Sequence, residues 1–444
     1  MTEPHEAELK RKVETMKKLF KKLTALTVFI LALITAFAVV GCSASDGGYG
    51  GWGGGSNSPD ASLGESADDA DGVEGGNQSS QRPIVKQLTA AEWRDALNYD
   101  FWLGLFDEGS VDGQEGQEQL TRNGLFYNYA KATRGLDTFD MHEVYVTSES
   151  KPVVGATVKL YYENDVIYSA VSDSAGRAYV FGNGTQIEAV SGPFSASASI
   201  ADGVTNIELT DFAAVENELE IMLVVDTTGS MGDELRFLCN ELAGVVTRVS
   251  SALNCNIRLG LLFYRDKGDE YVTRKYEFTD VTSSDGLNTV VSRIKAQKSA
   301  GGGDYPEAVD TALSEAVAMN WHKNSKTKLL FQVLDAPYHD EQENQSKFAS
   351  AVQSAAEKGI RVIPLAASGL DVLGQYIMRS AALLTGGTYA FLTDDSGIGD
   401  SHELPAVGEF TVEYLSDLMV RLIKGYHTGT FEEPIPWTQS ESVV

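Results

Sequence analysis

The chain has 444 residues, of which 43% are hydrophobic, and its 35 Lys and Arg against 63 Asp and Glu give a net charge of −28. This length allows about two or three domains of ordinary size, and the apolar content is sufficient for buried cores. So acidic a chain is a poor nucleic-acid binder and attracts divalent cations, although a solvated acidic surface explains most of the charge equally well.

Residues 1–41 are predicted to be an export signal and not part of the fold. A basic stretch with Lys17, Lys18, Lys21 and Lys22 precedes the apolar run Thr24–Val40, which ends at Gly41-Cys42. The pattern resembles the lipobox of bacterial lipoproteins, which implies lipidation of Cys42 and a lipid-anchored protein of the bacterial envelope, facing the periplasm or the exterior. A plain membrane anchor is the alternative, but the run is shorter than the roughly 20 residues that a span prefers. Translation starts at Met1 or Met16.

Two segments of different composition follow the signal. Residues 42–82 are rich in Gly, Ser and Asp with few aliphatic residues, which predicts a disordered linker. Residues 83–140 are rich in aromatic residues but interrupted by glycines. We interpret them as a packing segment against a neighbouring domain, with a partner-binding patch as the alternative.

Residues 141–215 contain short runs of alternating apolar residues divided by Gly and Asp-Ser turns, which predicts a small β-sandwich. The stretch Pro152–Leu160, followed by Ser172–Ala178, resembles the carboxypeptidase-regulatory-like sandwich of surface proteins. No catalytic set lies within it, so a spacer role is expected.

Residues 216–427 alternate apolar strands with amphipathic helical patterns, and residues 428–444 form a tail. Buried strands separated by helices predict an α/β domain with a mostly parallel sheet and helices on both faces. The alternating stretch Tyr271–Phe278 predicts an antiparallel edge strand, and Phe410–His427 predicts a closing amphipathic helix.

Three loops of this α/β region are rich in oxygen ligands. The first strand ends at Asp226, and Thr228 and Ser230 follow at alternate positions. A glycine-rich loop carries Asp304 and Glu307, with Glu307 predicted in the first turn of a helix, and the strand Leu329–Leu334 ends at Asp335. Ligands bind at the carboxyl ends of parallel strands, and hard oxygen donors suit magnesium, manganese or calcium. The alternative at the first loop is a helix start in which Ser230 and Asp233 form a capping box.

Taken together, the D-x-[ST]-x-S, D-x-P-E and D-A patterns resemble von Willebrand factor type A (VWA) domains, and most closely the VWA-like domain of integrin β subunits. The resemblance implies a Rossmann-like fold with a metal-ion-dependent adhesion site. Thr228 and Ser230 would bind Mg²⁺ or Mn²⁺ directly, and Asp226, Glu307 and Asp335 directly or through water. A carboxylate of a partner protein would complete the coordination.

The same resemblance implies possible secondary ion sites, with Ca²⁺ as a candidate. Asp233 and Glu234 occupy the positions of a second site, and Asp266 with Asp304 those of a third, where Gly302 replaces an Asn ligand. Exposed or helix-capping acids are the competing interpretation.

The expected function is therefore adhesion-type, metal-dependent protein binding and not enzymatic activity. One alternative is a structural scaffold of an envelope complex with a VWA fold and no metal-dependent ligand. A minor alternative is a phosphoryl-transfer hydrolase with Asp226 as nucleophile, because Asp226–Ser230 is similar to a D-K-T-G-T loop but lacks its Lys and final Thr.

Overall fold

The computed structural model describes residues 87–107, 124–130, 134–397 and 405–438. The predicted signal, Cys42 and the linker lie outside the described residues, as do the side chains of Asp233 and Glu234. None of the helices in the described ranges combines the length and the apolarity that a bilayer crossing requires.

An eight-stranded sheet forms the centre of the α/β region. Its strands are β1 (Thr89–Trp93), β10 (Glu216–Asp226), β11 (Asn256–Tyr264), β12 (Thr273–Asp280), β13 (Ser325–Leu334), β14 (Ile360–Ala366), β15 (Tyr389–Thr393) and β16 (Glu413–Tyr414). Their order across the sheet is β12-β11-β10-β13-β14-β15-β1-β16. β10, β11, β13, β14 and β15 are parallel, whereas β12 pairs antiparallel with β11 at one edge. The predicted mostly parallel sheet and its antiparallel edge strand are therefore confirmed.

Helices connect these strands. They are α1 (Tyr99–Gly104), α2 (Tyr127–Ala130), α3 (Gly232–Ala252), α4 (Ser284–Lys295), α5 (Val309–Ala318), α6 (Gln342–Lys358), α7 (Val372–Thr385) and α8 (Leu415–Thr428). Ser283 and Asp371 cap α4 and α7 by accepting hydrogen bonds from the backbone of the first turn. The closing helix begins at Leu415 and not at Phe410, because Glu413 and Tyr414 are paired with β1.

A β-rich region lies between β1 and β10 in the chain. It comprises β2 (Met141–Ser148), β3 (Lys151–Pro152), β4 (Thr157–Tyr162), β5 (Asp165–Val171), β6 (Arg177–Phe181), β7 (Gln186–Ser191), β8 (Phe194–Ser199) and β9 (Thr205–Glu208). One sheet has the order β3-β2-β6 with β9 beside β2, and the other has the order β5-β4-β7-β8. Alternate residues of β2, β4 and β7 point into a shared apolar core that includes Val144, Val158 and Ile187.

The segment before this region is joined to the α/β region in three ways. β1 pairs antiparallel with β15, so the central sheet contains a strand that precedes the sandwich in the chain. Arg379 of α7 is fully buried and forms an ion pair with Asp95, 2.9 Å from Nε to Oδ2. Phe126 packs on Tyr376 of α7 with ring centroids 5.4 Å apart. The aromatic residues of this segment thus cover α7.

Candidate metal site at the carboxyl end of the sheet

Three loops at the carboxyl ends of the parallel strands surround one cleft of about 590 Å³. The first loop follows β10, the second precedes α5 and the third follows β13. A fourth loop, after β14, contributes Ser368 and Gly369. Thr228, Ser230, Glu307 and Asp335, four of the five predicted primary ligands, line the cleft. The parallel topology places these loops at the same edge of the sheet, as the sequence indicates.

The fifth predicted ligand, Asp226, is 0% exposed at the end of β10. Its Oδ1 accepts hydrogen bonds from the backbone N of Thr228 at 2.8 Å and from Thr228 Oγ1 at 2.7 Å. These two bonds fold the loop back on the strand, as Asp side chains often do in turns. Oδ2 makes no hydrogen bond with a described residue. Burial, together with the charge of Asp335, raises the pKa of Asp226 to about 7.

The two hydroxyl residues lie in front of Asp226. Thr228 is buried, Ser230 is exposed, and their Oγ1 and Oγ atoms are 3.4 Å apart. α3 begins at Gly232 with Met231 as its N-cap residue, and no side chain caps it there. The Ser230 hydroxyl therefore does not cap α3, and it faces the cleft.

Glu307 is 4% exposed and joins the second loop to the third. Its backbone N donates to the carbonyl of Pro337 at 3.0 Å, and it forms a parallel β-bridge with Tyr338. The prediction that Glu307 lies in the first turn of a helix is wrong, because this bridge holds it extended and α5 begins only at Val309.

The carboxylate of Glu307 is held close to other acidic groups. Its Oε2 is buried and makes no hydrogen bond with a described residue. Burial and, after it, the charges of Asp226, Asp266 and Asp335 raise the pKa of Glu307 to about 9. Without a cation, the cleft therefore disfavours the charged form of Glu307.

Gly302 gives the glycine-rich loop its close approach to the first loop. Its φ of +76° is unfavourable for other residues, and a Cβ there would lie 2.9 Å from Glu307 Oε1 and 3.3 Å from Thr228 Cβ. A side chain at this position would push on two predicted ligands at once.

The secondary sites are less complete in the structure. Asp266 is buried, and its Oδ1 is 2.7 Å from His339 Nε2, whereas Asp304 is exposed at the rim of the cleft. Asp266 therefore already has a protein partner. The second site remains a prediction, since the side chains of Asp233 and Glu234 lie outside the described part of the structure.

Two residues near the cleft were not identified from the sequence. Asp269 Oδ2 accepts from the backbone N of Gly302 at 3.1 Å and of Asp266 at 3.2 Å, which ties the loop after β11 to the glycine-rich loop. The Tyr264 hydroxyl is buried, and burial together with Asp226, Asp335 and Glu307 raises its pKa. Asp269 follows β11 in a polar run, a signal that resembles that of the other loops.

The residues present fit a hydrated, oxygen-preferring ion better than a cage of carboxylates. Among the described residues, no group of three or more His, Cys, Asp or Glu side chains is placed to hold a metal. Asp226 Oδ2 and Glu307 Oε2 are buried without a hydrogen bond to a described residue. The Thr228 hydroxyl donates to Asp226, and the Ser230 hydroxyl lies 3.4 Å from that of Thr228. Magnesium keeps several waters when it is bound by one or two carboxylates, so such a donor set is suitable for it.

The α/β region is similar to known proteins. Residues 220–402 match the family model of the von Willebrand factor type A domain. A putative ariadne-like RING finger protein of Acanthamoeba polyphaga mimivirus is 26% identical over 136 residues, which cover 31% of this chain and only 13% of that protein.

Two solved structures are similar at 10% sequence identity and a TM-score of 0.33. A von Willebrand factor type A protein from Catenulispora acidiphila matches over 63% of this chain and 51% of its own. The pilus adhesin SpaC from Lactobacillus rhamnosus GG, in its open conformation, matches over 63% of this chain and 36% of its own.

Proposed function

Because residues 220–402 form a von Willebrand factor type A domain, we propose that this chain is an adhesion-type protein that binds a partner protein through a divalent cation in the cleft. Domains of this family are generally protein-binding modules and not enzymes. The cation is Mg²⁺ or Mn²⁺, held by Thr228, Ser230 and the carboxylates of Asp226, Glu307 and Asp335.

One observation carries the proposal. Asp226 Oδ2 and Glu307 Oε2 are buried carboxylate oxygens that have no hydrogen-bond donor among the described residues. Ionising a buried carboxyl that has no partner costs free energy, which is why burial raises the pKa of Asp226 to about 7 and that of Glu307 to about 9. A cation at this position would supply the missing positive charge.

The exposed side of the cleft explains how a partner would be recognised. Ser230 and Asp304 are exposed there, so an approaching side chain can reach the region of the predicted ligands. A bound ion would link the chain's oxygen ligands to an acidic side chain of the partner. Without it, the net charge of −28 would repel an acidic partner.

The buried position of Asp226 argues against the hydrolase alternative. A nucleophilic carboxylate has to contact the phosphoryl group, but Asp226 is 0% exposed and its Oδ1 is already hydrogen-bonded to Thr228. Its arrangement is suited to supporting a loop and a ligand sphere from behind.

We further propose that the chain is held at the membrane of a bacterial envelope by a lipid on Cys42, with residues 42–82 as a flexible tether. The motif before Cys42 and the composition of the linker support this placement. Metabolic labelling with a radioactive fatty acid should mark the wild type and not Cys42→Ala, and equal labelling of both would contradict the anchor.

The metal proposal is tested by titrating MnCl₂ into the metal-free chain in an isothermal titration calorimeter. The wild type should bind Mn²⁺, and Ser230→Ala and Glu307→Gln should bind at least about tenfold more weakly because each loses a ligand. Ser195→Ala, an exposed serine of β8, is the matched control and should bind like the wild type. Absence of Mn²⁺ binding to the wild type would favour the scaffold alternative.

A further inference from the structure

A second cleft, of about 600 Å³, lies between the sandwich and the amino end of the parallel sheet, and we name it the amino-end cleft. The first residues of β13, the end of α6 and the turns of the sandwich line it. Its lining contains the cationic residues Lys323, Lys326, Lys328, Lys358 and Arg361, and only two carboxylates, Asp173 and Glu357. In a chain with a net charge of −28, such an excess of positive charge is unexpected.

Two of these cations are buried and donate to backbone carbonyls, although the carboxylates of Glu220 and Glu218 also stabilise the charge of Lys328. Arg361 is 6% exposed and donates to the carbonyls of Thr385 at 2.7 Å and Val171 at 2.6 Å. Lys328 is 8% exposed, and its Nζ donates to the carbonyls of Lys323 at 3.0 Å and Lys358 at 3.1 Å. Carbonyl oxygens satisfy the N–H groups but carry no net charge, so these two cations add positive charge to the wall of the cleft.

The two carboxylates of the cleft do not offset this charge. Asp173 Oδ1 accepts from the backbone N of Ala175 at 2.8 Å and of Arg177 at 2.9 Å, which fixes it in its own turn. Glu357 is exposed. Within the part of the chain that the structure describes, neither carboxylate forms an ion pair with any of the five cations.

No contact among the described residues gives Lys323 or Lys326 a structural role. Lys323 is exposed and Lys326 is partly buried, and neither side chain makes a hydrogen bond or an ion pair with a described residue. Burial lowers the pKa of both Lys326 and Lys328. Stabilisation of the carbonyls at the end of α6 accounts for Lys328, but not for these two side chains.

We propose that the amino-end cleft is an anion-binding site for a phosphate-bearing small molecule, with Lys323 and Lys326 as its principal ligands. The ammonium group of lysine is a compact charge with three donors, which suits phosphate oxygens. A volume of about 600 Å³ is larger than a single phosphate requires and falls within the range of small-molecule sites. Lys328 and Arg361 provide a fixed positive background at its wall.

The proposal is tested with inorganic tripolyphosphate, titrated into the full chain at low ionic strength in a buffer that contains EDTA. EDTA keeps metals out of the other cleft, so the result does not depend on the adhesion-type function. The wild type should bind tripolyphosphate, and Lys323→Gln/Lys326→Gln should bind it roughly tenfold or more weakly because two charge-assisted contacts are lost. Lys323→Gln alone removes an exposed side chain, so it tests the proposal even if the double variant does not fold.

Lys151→Gln is the matched control, because it removes the same charge from an exposed residue of the sandwich that does not line the cleft. It should bind tripolyphosphate like the wild type, and citrate should bind the wild type at least about fivefold more weakly than tripolyphosphate. The proposal would be overturned if the wild type did not bind tripolyphosphate, or if Lys323→Gln and the double variant bound it as tightly as the wild type does. A loss of binding in Lys151→Gln as large as that in the double variant, or binding of citrate as tight as that of tripolyphosphate, would also overturn it.

Discussion

Strand β10 carries buried carboxylates at both of its ends, and the two ends differ in the partners that they provide. At the amino end, Glu220 is 0% exposed and accepts from Arg258 Nη1 at 2.6 Å and from the backbone N of His322 at 2.9 Å. Its neighbour Glu218 accepts from Ser325 Oγ at 2.6 Å and is 2.8 Å from His322 Nδ1. Every one of these contacts brings a donor or a positive charge to the carboxylate.

At the carboxyl end of the same strand, Asp226 Oδ1 accepts from a backbone amide and a hydroxyl, and Oδ2 has no hydrogen bond of normal geometry with a described residue, although the Tyr264 hydroxyl is near enough to lower the pKa of Asp226. The pKa values reflect the difference in part. Burial raises the pKa of Glu218, but hydrogen bonds from Ser325 and His322 outweigh it, so the pKa is lowered. Burial raises the pKa of Glu220 despite its donors, and burial with the charge of Asp335 raises that of Asp226 to about 7. Burial alone therefore does not make a ligand site, and the missing partner distinguishes the two ends.

The largest effect on the free energy of unfolding is expected from a substitution at the amino end of β10. Glu220→Ala should lower the free energy of unfolding by about 2–3 kcal/mol, because it leaves Arg258 and the backbone N of His322 without their acceptor. Urea denaturation followed by circular dichroism measures this loss. Glu277→Ala, an exposed position on β12, is the control and should change stability by less than about 0.5 kcal/mol. Equal stabilities of the two variants would remove the structural role of the amino end.

A smaller change in the free energy of unfolding, of opposite sign, is expected from a substitution at the carboxyl end of β10. Asp226→Asn keeps an oxygen for the two bonds from Thr228 but removes a carboxyl whose ionisation is disfavoured by burial, so the free energy of unfolding in EDTA should stay constant or rise by up to about 1 kcal/mol. The same variant should lose the stabilisation that Mn²⁺ gives the wild type, about 2.7 kcal/mol at a hundredfold excess over Kd. A loss of stability as large as that of Glu220→Ala would show that Asp226 is a structural residue.

The smallest effect is a pH dependence of the folding stability, which comes from His322 at the amino end of β10. His322 is close to Glu216, Glu218 and Glu220, and the hydrogen bond that its Nδ1 donates to the carboxylate of Glu218 raises the pKa of His322. The pairing of charged His322 therefore stabilises the fold at low pH, and this contribution is lost as the pH rises through the folded-state pKa, above roughly 6.5. Because the side chain is 41% exposed, the contribution should stay below about 1 kcal/mol.

The measurement compares the thermal stability of the wild type and His322→Gln between about pH 6 and pH 8. The advantage of the wild type should shrink as the pH rises. In a Glu218→Gln background it should be nearly absent, and a constant advantage there would contradict the pairing.

The sequence predicts the parallel strands closely, because each is a continuous apolar run buried on both faces, such as Ile257–Tyr264 for β11. It also predicts which loops meet, since parallel strands present their carboxyl ends at one edge. It does not predict contacts between loops, such as Asp269 with Gly302 or Asp266 with His339, because these depend on distances between segments that no periodicity encodes.

The sequence pattern does not predict strand β1, and the reason is different. Its sequence, Thr89–Trp93, is short and lacks a clear apolar alternation, and its partner Thr393 lies 304 residues away at the end of β15. Residues 220–402, which match the VWA family model, include neither β1 nor β16, the outer strand of the central sheet.

The position of β1 has a practical consequence for expression. A fragment cut at residue 216 would remove the strand between β15 and β16 and expose the edge of β15, together with the side of α7 that Trp102, Phe106 and Phe126 cover. Bare strand edges recruit other chains, so such a fragment should aggregate, although it includes every residue of the family match. A soluble head for binding work has to begin upstream of Thr89 and carry the sandwich with it.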